Sequence, residues 1–316
     1  MDCPESLQDA QWCRQRYQEL QRANMQGTQL TATMEGLQTL FQRTISLTEF
    51  RLAAECAMLL CLDYKRLGEW ESSVRWAEQA RDIATQYCGW DVTSKAAKTL
   101  AQVTYEYARE SPSEEIFENL IAQLSDAAER DGQHEMFDDQ ADKYGFLSDV
   151  ELLRSQKLDN VDSKEAFQKS LSWLAKAEDL IPQLPQELQL AYIAENVYKK
   201  SNAYYAIDDI PSALVCAHNA CTLFEQAGKE RETALMYRRI GQLELLSVEL
   251  HLETVDASLN ETLHNFKQSE AFLKTADFRE QLAQCYLQQA WVWERALLQG
   301  QPGALENALR NLDSAE

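Results

Sequence analysis

The sequence predicts an all-α protein, an α-solenoid of about seven helical hairpins, on three observations. First, the run Leu223–Leu243, with its Tyr237-Arg238-Arg239-Ile240-Gly241-Gln242 core, recurs as Ala271–Ala290. Both read as the end of one helix, a turn, a charged start and a Tyr-centred helix. Tyr237 and Tyr286 lie 49 residues apart, and a looser copy around Tyr198 precedes Tyr237 by 39. Self-similarity at such spacing is the signature of stacked helical units. Second, the 316 residues contain only 10 Gly and 6 Pro, while Leu, Ala, Gln and Glu abound, which is helix-former composition. Third, apolar residues recur at helical spacing along the chain and no β-rich segment interrupts them.

In order, the first helix spans 7–26, with Gly27 ending it, and the second spans 29–45 with Leu37, Leu40, Phe41 and Ile45 as its stripe. Helix 50–66 is closed by Leu67-Gly68-Glu69-Trp70. Its partner carries Ala77 and Ala80, small positions that let paired helices approach while bulky neighbours fill the gaps. Helix 92–109 breaks at Pro112. Ser111 and Glu114 have the spacing of a capping box, in which a side-chain oxygen takes an orphan amide and the Glu reaches back. Helix 114–130 stops at Asp131-Gly132, and 135–157 follows. Asp162 and Glu165 form a second box before helix 164–180, and Pro182 and Pro185 mark the next junction. Helices 187–206 and 212–226 flank Asp209-Ile210-Pro211. Helix 230–252 pairs with 258–275, where Ser258 and Glu261 form a third box, and helices 278–299 and 304–312 finish the chain. Successive hairpins start near residues 49, 91, 133, 185, 229 and 278. This organises the chain as an amino-terminal helical pair (1–48), repeats over 49–184 that lose regularity from 132, and repeats with terminal helices over 185–316. The array ends without an obviously polar cap, so a truncated piece or a face against a partner is the expectation there.

The formal net charge is −21, from 51 acidic against 30 basic residues. Polyanion binding draws its affinity from clustered Lys and Arg, so nucleic acid and anionic membranes are excluded as main partners. No apolar run approaches the roughly 18 residues a membrane span needs, and no signal-like amino terminus is present. Eight cysteines are scattered, with no Cys-x-x-Cys, which reads as free thiols in a reducing compartment, the cytoplasm or nucleus. His134, His218, His251 and His264 form no metal motif, so no metal or cofactor is expected. Gly-rich phosphate loops and nucleophile elbows are missing, and Cys88 with His134 lacks an oxyanion loop, so no enzyme is predicted.

These residues resemble the tetratricopeptide-repeat superfamily. Its pattern places a large residue, then Leu-Gly three and four positions on, in the first helix, as Tyr237, Ile240 and Gly241 do here. It then sets Gly-Asp-Tyr in the turn and alanines in the second helix, as do Gly68-Glu69-Trp70 with Ala77 and Ala80, and, less closely, Asp209-Ile210-Pro211 with Ala213, Ala217 and Ala220. The likeness covers about 50–88 and 190–300. Its longer repeats are similar to those of kinesin light chains, NSF-attachment proteins and bacterial peptide-sensing regulators. The resemblance implies a right-handed superhelix whose first helices line a concave groove holding a peptide or a partner's helix.

Within that groove the residues with the chemistry of recognition are Tyr198, Lys199, Asn202, Arg238, Arg239 and Gln242. The dibasic pairs Lys199-Lys200 and Arg238-Arg239 each follow a tyrosine, one repeat apart, and in so acidic a chain they would concentrate an acidic peptide or a carboxyl terminus. The competing reading pairs them with Glu195, Glu232 or Glu244 at helical spacing. Trp291 and Trp293 are a second docking candidate, against core packing. The function expected is a non-catalytic scaffold or adaptor for a protein or peptide partner, as a subunit of a larger complex. The alternatives are a peptide-sensing regulator and the helical arm of a larger enzyme or ATPase.

Overall fold

The computed structural model describes residues 5–26, 30–250, 255–275 and 279–315. Among them lie fourteen α-helices, one 3-10 turn and no strand. The chain divides into two compact units, Met1–Val161 and Asp162–Glu316. The first holds α1 (Glu5–Gln26), α2 (Leu30–Ser46), α3 (Phe50–Arg66), α4 (Trp70–Tyr87), α5 (Trp90–Glu110), α6 (Glu114–Gln133) and α7 (Phe137–Lys157). The second holds α8 (Ser163–Leu180), the 3-10 turn Ile181–Gln183, α9 (Gln186–Ala206), α10 (Ile210–Gln226), α11 (Glu230–Leu250), α12 (Val255–Thr275), α13 (Arg279–Leu298) and α14 (Ala304–Ala315).

Helical hairpins are the building unit. In the first unit α1 packs on α2, α3 on α4 and α5 on α6, and the odd-numbered helices also touch in succession. In the second, α9 packs on α10, α11 on α12 and α13 on α14, and α11 also touches α13. The alanine stripes explain the closeness of these pairs. Ala77, Ala80 and Ala84 of α4, and Ala213, Ala217 and Ala220 of α10, are wholly buried, each a gap into which a neighbouring helix fits. Gly241 takes this further: a Cβ there would lie 3.0 Å from the buried ring of Phe266 on α12.

Six helix ends close in the same way. A residue in the left-handed region lets the next amide reach back to the carbonyl five positions earlier, from Glu49 to Thr44, Glu69 to Tyr64, Met136 to Asp131, Asp209 to Tyr204, Lys229 to Phe224 and Gln301 to Ala296, all at 2.9–3.0 Å. Gly68, Gly228 and Gly300 supply that conformation where glycine is free to do so. Thr48, Glu135 and Asp208 adopt it without that freedom, at φ 58–59°.

Three expected ends are corrected. Helix α6 does not stop at Asp131-Gly132 but runs to Gln133, and Glu135 makes the turn. Gly132 lies within the helix, where a Cβ on it would meet the amide end of the Gln140 side chain at 2.7 Å. The cap of α6 is Ser113, whose hydroxyl accepts from the Ile116 amide at 3.3 Å, while Ser111 ends α5. Ser258 falls inside α12, which begins at Val255, and its side chain lies outside the described residues. Asp162 caps α8 as its spacing predicts, accepting from Lys164 at 2.7 Å and Glu165 at 3.4 Å. Gly27, His251 and Phe278 lie outside the described residues.

Two buried polar knots tie helices together in the first unit. Asp131 on α6 is wholly buried and accepts from Trp90 Nε1 of α5 at 2.8 Å and from Lys143 Nζ of α7. Lys143 is 1% exposed and also donates to Ser94 Oγ at 2.8 Å. Asp63 of α3, equally buried, accepts from Asn24 of α1 at 2.6 Å and from Arg66 at 3.2 Å. In the first knot the partners of Asp131 offset its desolvation, whereas at Asp63 burial outweighs Asn24 and Arg66 and raises the carboxyl.

Candidate partner-binding site

Helices α9, α11 and α13 are the first helices of successive hairpins, and polar and aromatic side chains join them. From α11, Arg239 reaches to α9, its guanidinium carbon 4.4 Å from the Tyr205 ring centroid, a cation–π contact. Its neighbour Arg238 turns the other way and donates to Gln284 Oε1 of α13 at 2.7 Å. Consecutive residues on a helix diverge by about 100°, which is why the dibasic pair splits between two neighbours.

Arg239 is the cation of the dibasic pair that points to α9. Among the described residues no carboxylate pairs with it, and its buried Nε has no hydrogen-bond partner. Burial pulls its guanidinium below the ordinary value, the nearby Tyr198 and Tyr205 push it back up, and Arg238 adds to the lowering. It opens onto a cavity of about 370 Å³, also lined by Tyr205, Gln242, Leu245, Leu246, Phe266, Gln288 and Trp291. Gln288 Oε1 is likewise buried without a partner. Trp291 stands 56% exposed at the rim, whereas Val292 is buried and Trp293 packs on the core beside it.

The structure brings Arg239 and Gln242 into the cavity lining and leaves the other predicted residues outside it. Tyr198 packs on the core shared by α9, α10 and α11. Lys199 sits 3.6 Å from Glu195, the pairing that helical spacing offered as the competing reading, and Lys200 lies 2.5 Å from Glu178. Asn202 is half-buried on α9. Tyr205 and Gln288 were not singled out from the sequence. The signal for Gln288 was present, because the 49-residue spacing that carries Tyr237 onto Tyr286 also carries Arg239 onto Gln288 and Gln242 onto Trp291.

Two other clefts differ chemically. One of about 580 Å³ lies between α4 and α6 over α5, but its cations are neutralised on their own helices, Arg81 by Asp82 at 2.7 Å and Arg130 by Asp126 at 3.1 Å. Another of about 440 Å³ runs beside Tyr237, whose hydroxyl donates to Glu225 at 2.7 Å. At the Cys88–His134 pair, burial pushes the Cys88 thiol up, and His134 stacks on Trp90 at 5.2 Å. Among the described residues no three His, Cys, Asp or Glu side chains are grouped to hold a metal.

No family model matches the chain, and no curated protein matches it in sequence. Its fold, however, is that of solved helical-repeat proteins. The apo form of RapI superposes with a TM-score of 0.57 at 10% identity, over 96% of both chains. A signal-transduction ATPase with a tetratricopeptide-repeat sensor from Pyrococcus horikoshii gives 0.54 at 12% identity, covering 98% of this chain and 47% of that one, so this chain spans about half its length. A Podosopora anserina kinesin light chain with nearly identical TPR-like repeats gives 0.51 at 12% identity, over 68% of this chain and 96% of that one. The chain therefore has an all-α, tetratricopeptide-like solenoid fold.

Proposed function

We propose that this chain is a non-catalytic interaction scaffold, which holds a protein or peptide segment on the face carried by α9, α11 and α13. The observation behind this reading is Arg239, a partly buried cation that no carboxylate among the described residues neutralises, opening onto a cavity in a chain of net charge −21. Desolvating a charge without a counter-ion is costly, and an anionic group brought by a partner would offset that cost. Stacked hairpins leave such a face open, which is how repeat folds commonly bind. A peptide-sensing regulator is the second reading, favoured by the small size of the cavity, about 370 Å³. No described helix is long and apolar enough to cross a membrane. Seven free cysteines among the described residues support a reducing compartment, the cytoplasm or nucleus.

The test is affinity capture with the intact chain beside Arg239→Glu and, as a control in the other unit, Arg81→Glu, with circular dichroism verifying that all three remain helical. A partner retained by the chain and by Arg81→Glu but lost from Arg239→Glu supports the reading. A partner list unchanged by Arg239→Glu sinks it.

A further inference from the structure

In the second unit the second helix of each earlier hairpin is covered twice. Helix α10 packs on α9 and on α11, and α12 on α11 and on α13, the first helix of the following hairpin. Helix α14 packs on α13, and among the described residues no helix follows it. Ala304 and Ala308 stand on α14 where Ala213 and Ala217 stand on α10, which puts Leu305 in the register of Leu214 and Leu312 in that of Cys221. Leu214 packs on the core that α10 shares with α11, and Cys221, buried, lies against Tyr237 of α11. Their counterparts are open: Leu305 is 54% exposed and Leu312 43%, with Leu309 between them at 52%. Helix α13 continues the pattern. The 49-residue spacing carries Arg238, which reaches from α11 to α13, onto Leu287, and Gln242 onto Trp291, and both counterparts are exposed. Single exposed leucines are ordinary, but a stripe on two neighbouring helices, in the register that a following helix covers elsewhere, marks an interface.

The charges beside the stripe say what lies on it. Residues three and four positions apart share a helix face, so the exposed Glu306 and Asp313 flank Leu309. Arg310 points about 100° away from Leu309 and is held by Glu306 at 3.0 Å. On α13 the exposed Glu294 and Arg295 balance each other, so the acids of α14 set the sign. A second copy meeting this stripe about a two-fold axis would bring the same acids together from two chains, each of net charge −21. We propose that the open end formed by α13 and α14 docks an amphipathic helix of a basic partner. That helix sits as a following first helix would, its apolar stripe on Leu305, Leu309 and Leu312 and its lysines or arginines beside Glu306 and Asp313.

The probe is a synthetic helical peptide of alanine, leucine and lysine, with leucine at i, i+4, i+7 and i+11 and lysine on either side of that stripe. Its binding to the intact chain is read by fluorescence anisotropy, beside a form with glutamate for lysine and a scramble that has no apolar face. The lysine form is expected to bind the natural chain and Val215→Gln alike, since Val215 is an exposed residue of α10 away from the stripe. It should bind the triple variant Leu305→Gln, Leu309→Gln, Leu312→Gln at least roughly tenfold more weakly, and the natural chain should hold the glutamate form and the scramble as weakly. With Glu306→Lys and Asp313→Lys the glutamate form should become the tighter ligand. A lysine form that does not bind, or that binds the triple variant as tightly as the natural chain, overturns the proposal. So does a dimer of the chain, seen by sedimentation velocity, that the triple variant loses. All these side chains are exposed, and circular dichroism checks that the variants remain helical. None of them touches Arg239, so this experiment and the capture experiment fail separately.

Discussion

Replacing Lys143 with methionine tests whether the buried knot of α5, α6 and α7 is held by charge. The lysine is 1% exposed and Asp131 wholly buried, so the variant strands a carboxylate with no water to take over. Breaking a buried pair by removing one partner costs about 3–5 kcal/mol. Asp131 keeps the Trp90 N–H at 2.8 Å, which places the loss near the lower end, about 3 kcal/mol. The Ser94 hydroxyl also loses its donor and adds to the damage rather than relieving it. Adding Asp131→Asn removes the stranded charge and leaves an oxygen for Trp90, so the double variant should recover at least half the loss. The assay is urea unfolding, with native-state hydrogen exchange resolving the amides of α5, α6 and α7, because a repeat fold need not unfold in one step. The reasoning is refuted if Lys143→Met costs under about 1 kcal/mol, or if the double variant is no more stable than the single.

Two further outcomes follow from local geometry. Thr48 is an exposed β-branched residue at φ 58°, a conformation that costs L-residues about 1–2 kcal/mol, so Thr48→Gly should raise the unfolding free energy from urea melts by up to about 1 kcal/mol despite glycine's greater freedom when unfolded. Burial pushes the Glu244 carboxyl up to about 7, against hydrogen bonds from Asn265 and Thr262 that favour its ionised form, with Glu261 adding to the rise. Folding therefore favours the protonated acid. The stability it contributes is complete below the ordinary value of 4.5 and is lost as pH rises through about 7, a change of roughly 3 kcal/mol that Glu244→Gln should flatten in a pH series of urea melts.

Helices were legible because their signals are local. Apolar spacing, the alanine stripes of α4 and α10, and Pro211 within the first turn of α10 each fix structure within a few residues. Turns were legible where glycine or proline marks them, as at Gly68 and at Asp209-Ile210-Pro211. Gly68 and Gly228 announce the left-handed residue, whereas Thr48, Glu135 and Asp208 do the same work with side chains that argue against it, in turns closed by the following amide's bond back to the helix. Gly132 misled because it lies inside α6 beside the Gln140 side chain and makes no turn. At the candidate site the tyrosine-dibasic echo drew attention to the right helices but treated four cations alike. Spacing along one helix reported the Lys199–Glu195 pair but not partners across helix boundaries, such as the Glu178 carboxylate for Lys200 and the neutral Gln284 amide oxygen for Arg238. The repeat period itself carried more than was drawn from it, since it places Gln288 and Trp291 opposite Arg239 and Gln242.

The most direct test of the binding face is an affinity measurement on the partner captured by the intact chain, made by calorimetry for the natural sequence, Arg239→Gln and Arg81→Gln. Arg81 already has Asp82 at 2.7 Å, and Arg239 has no carboxylate among the described residues. The account predicts at least roughly tenfold weaker binding for Arg239→Gln, as expected for loss of a charge-assisted contact, and no change for Arg81→Gln. Equal affinity for Arg239→Gln and the natural sequence would contradict it, and a loss confined to Arg81→Gln would move the interface to the cleft between α4 and α6.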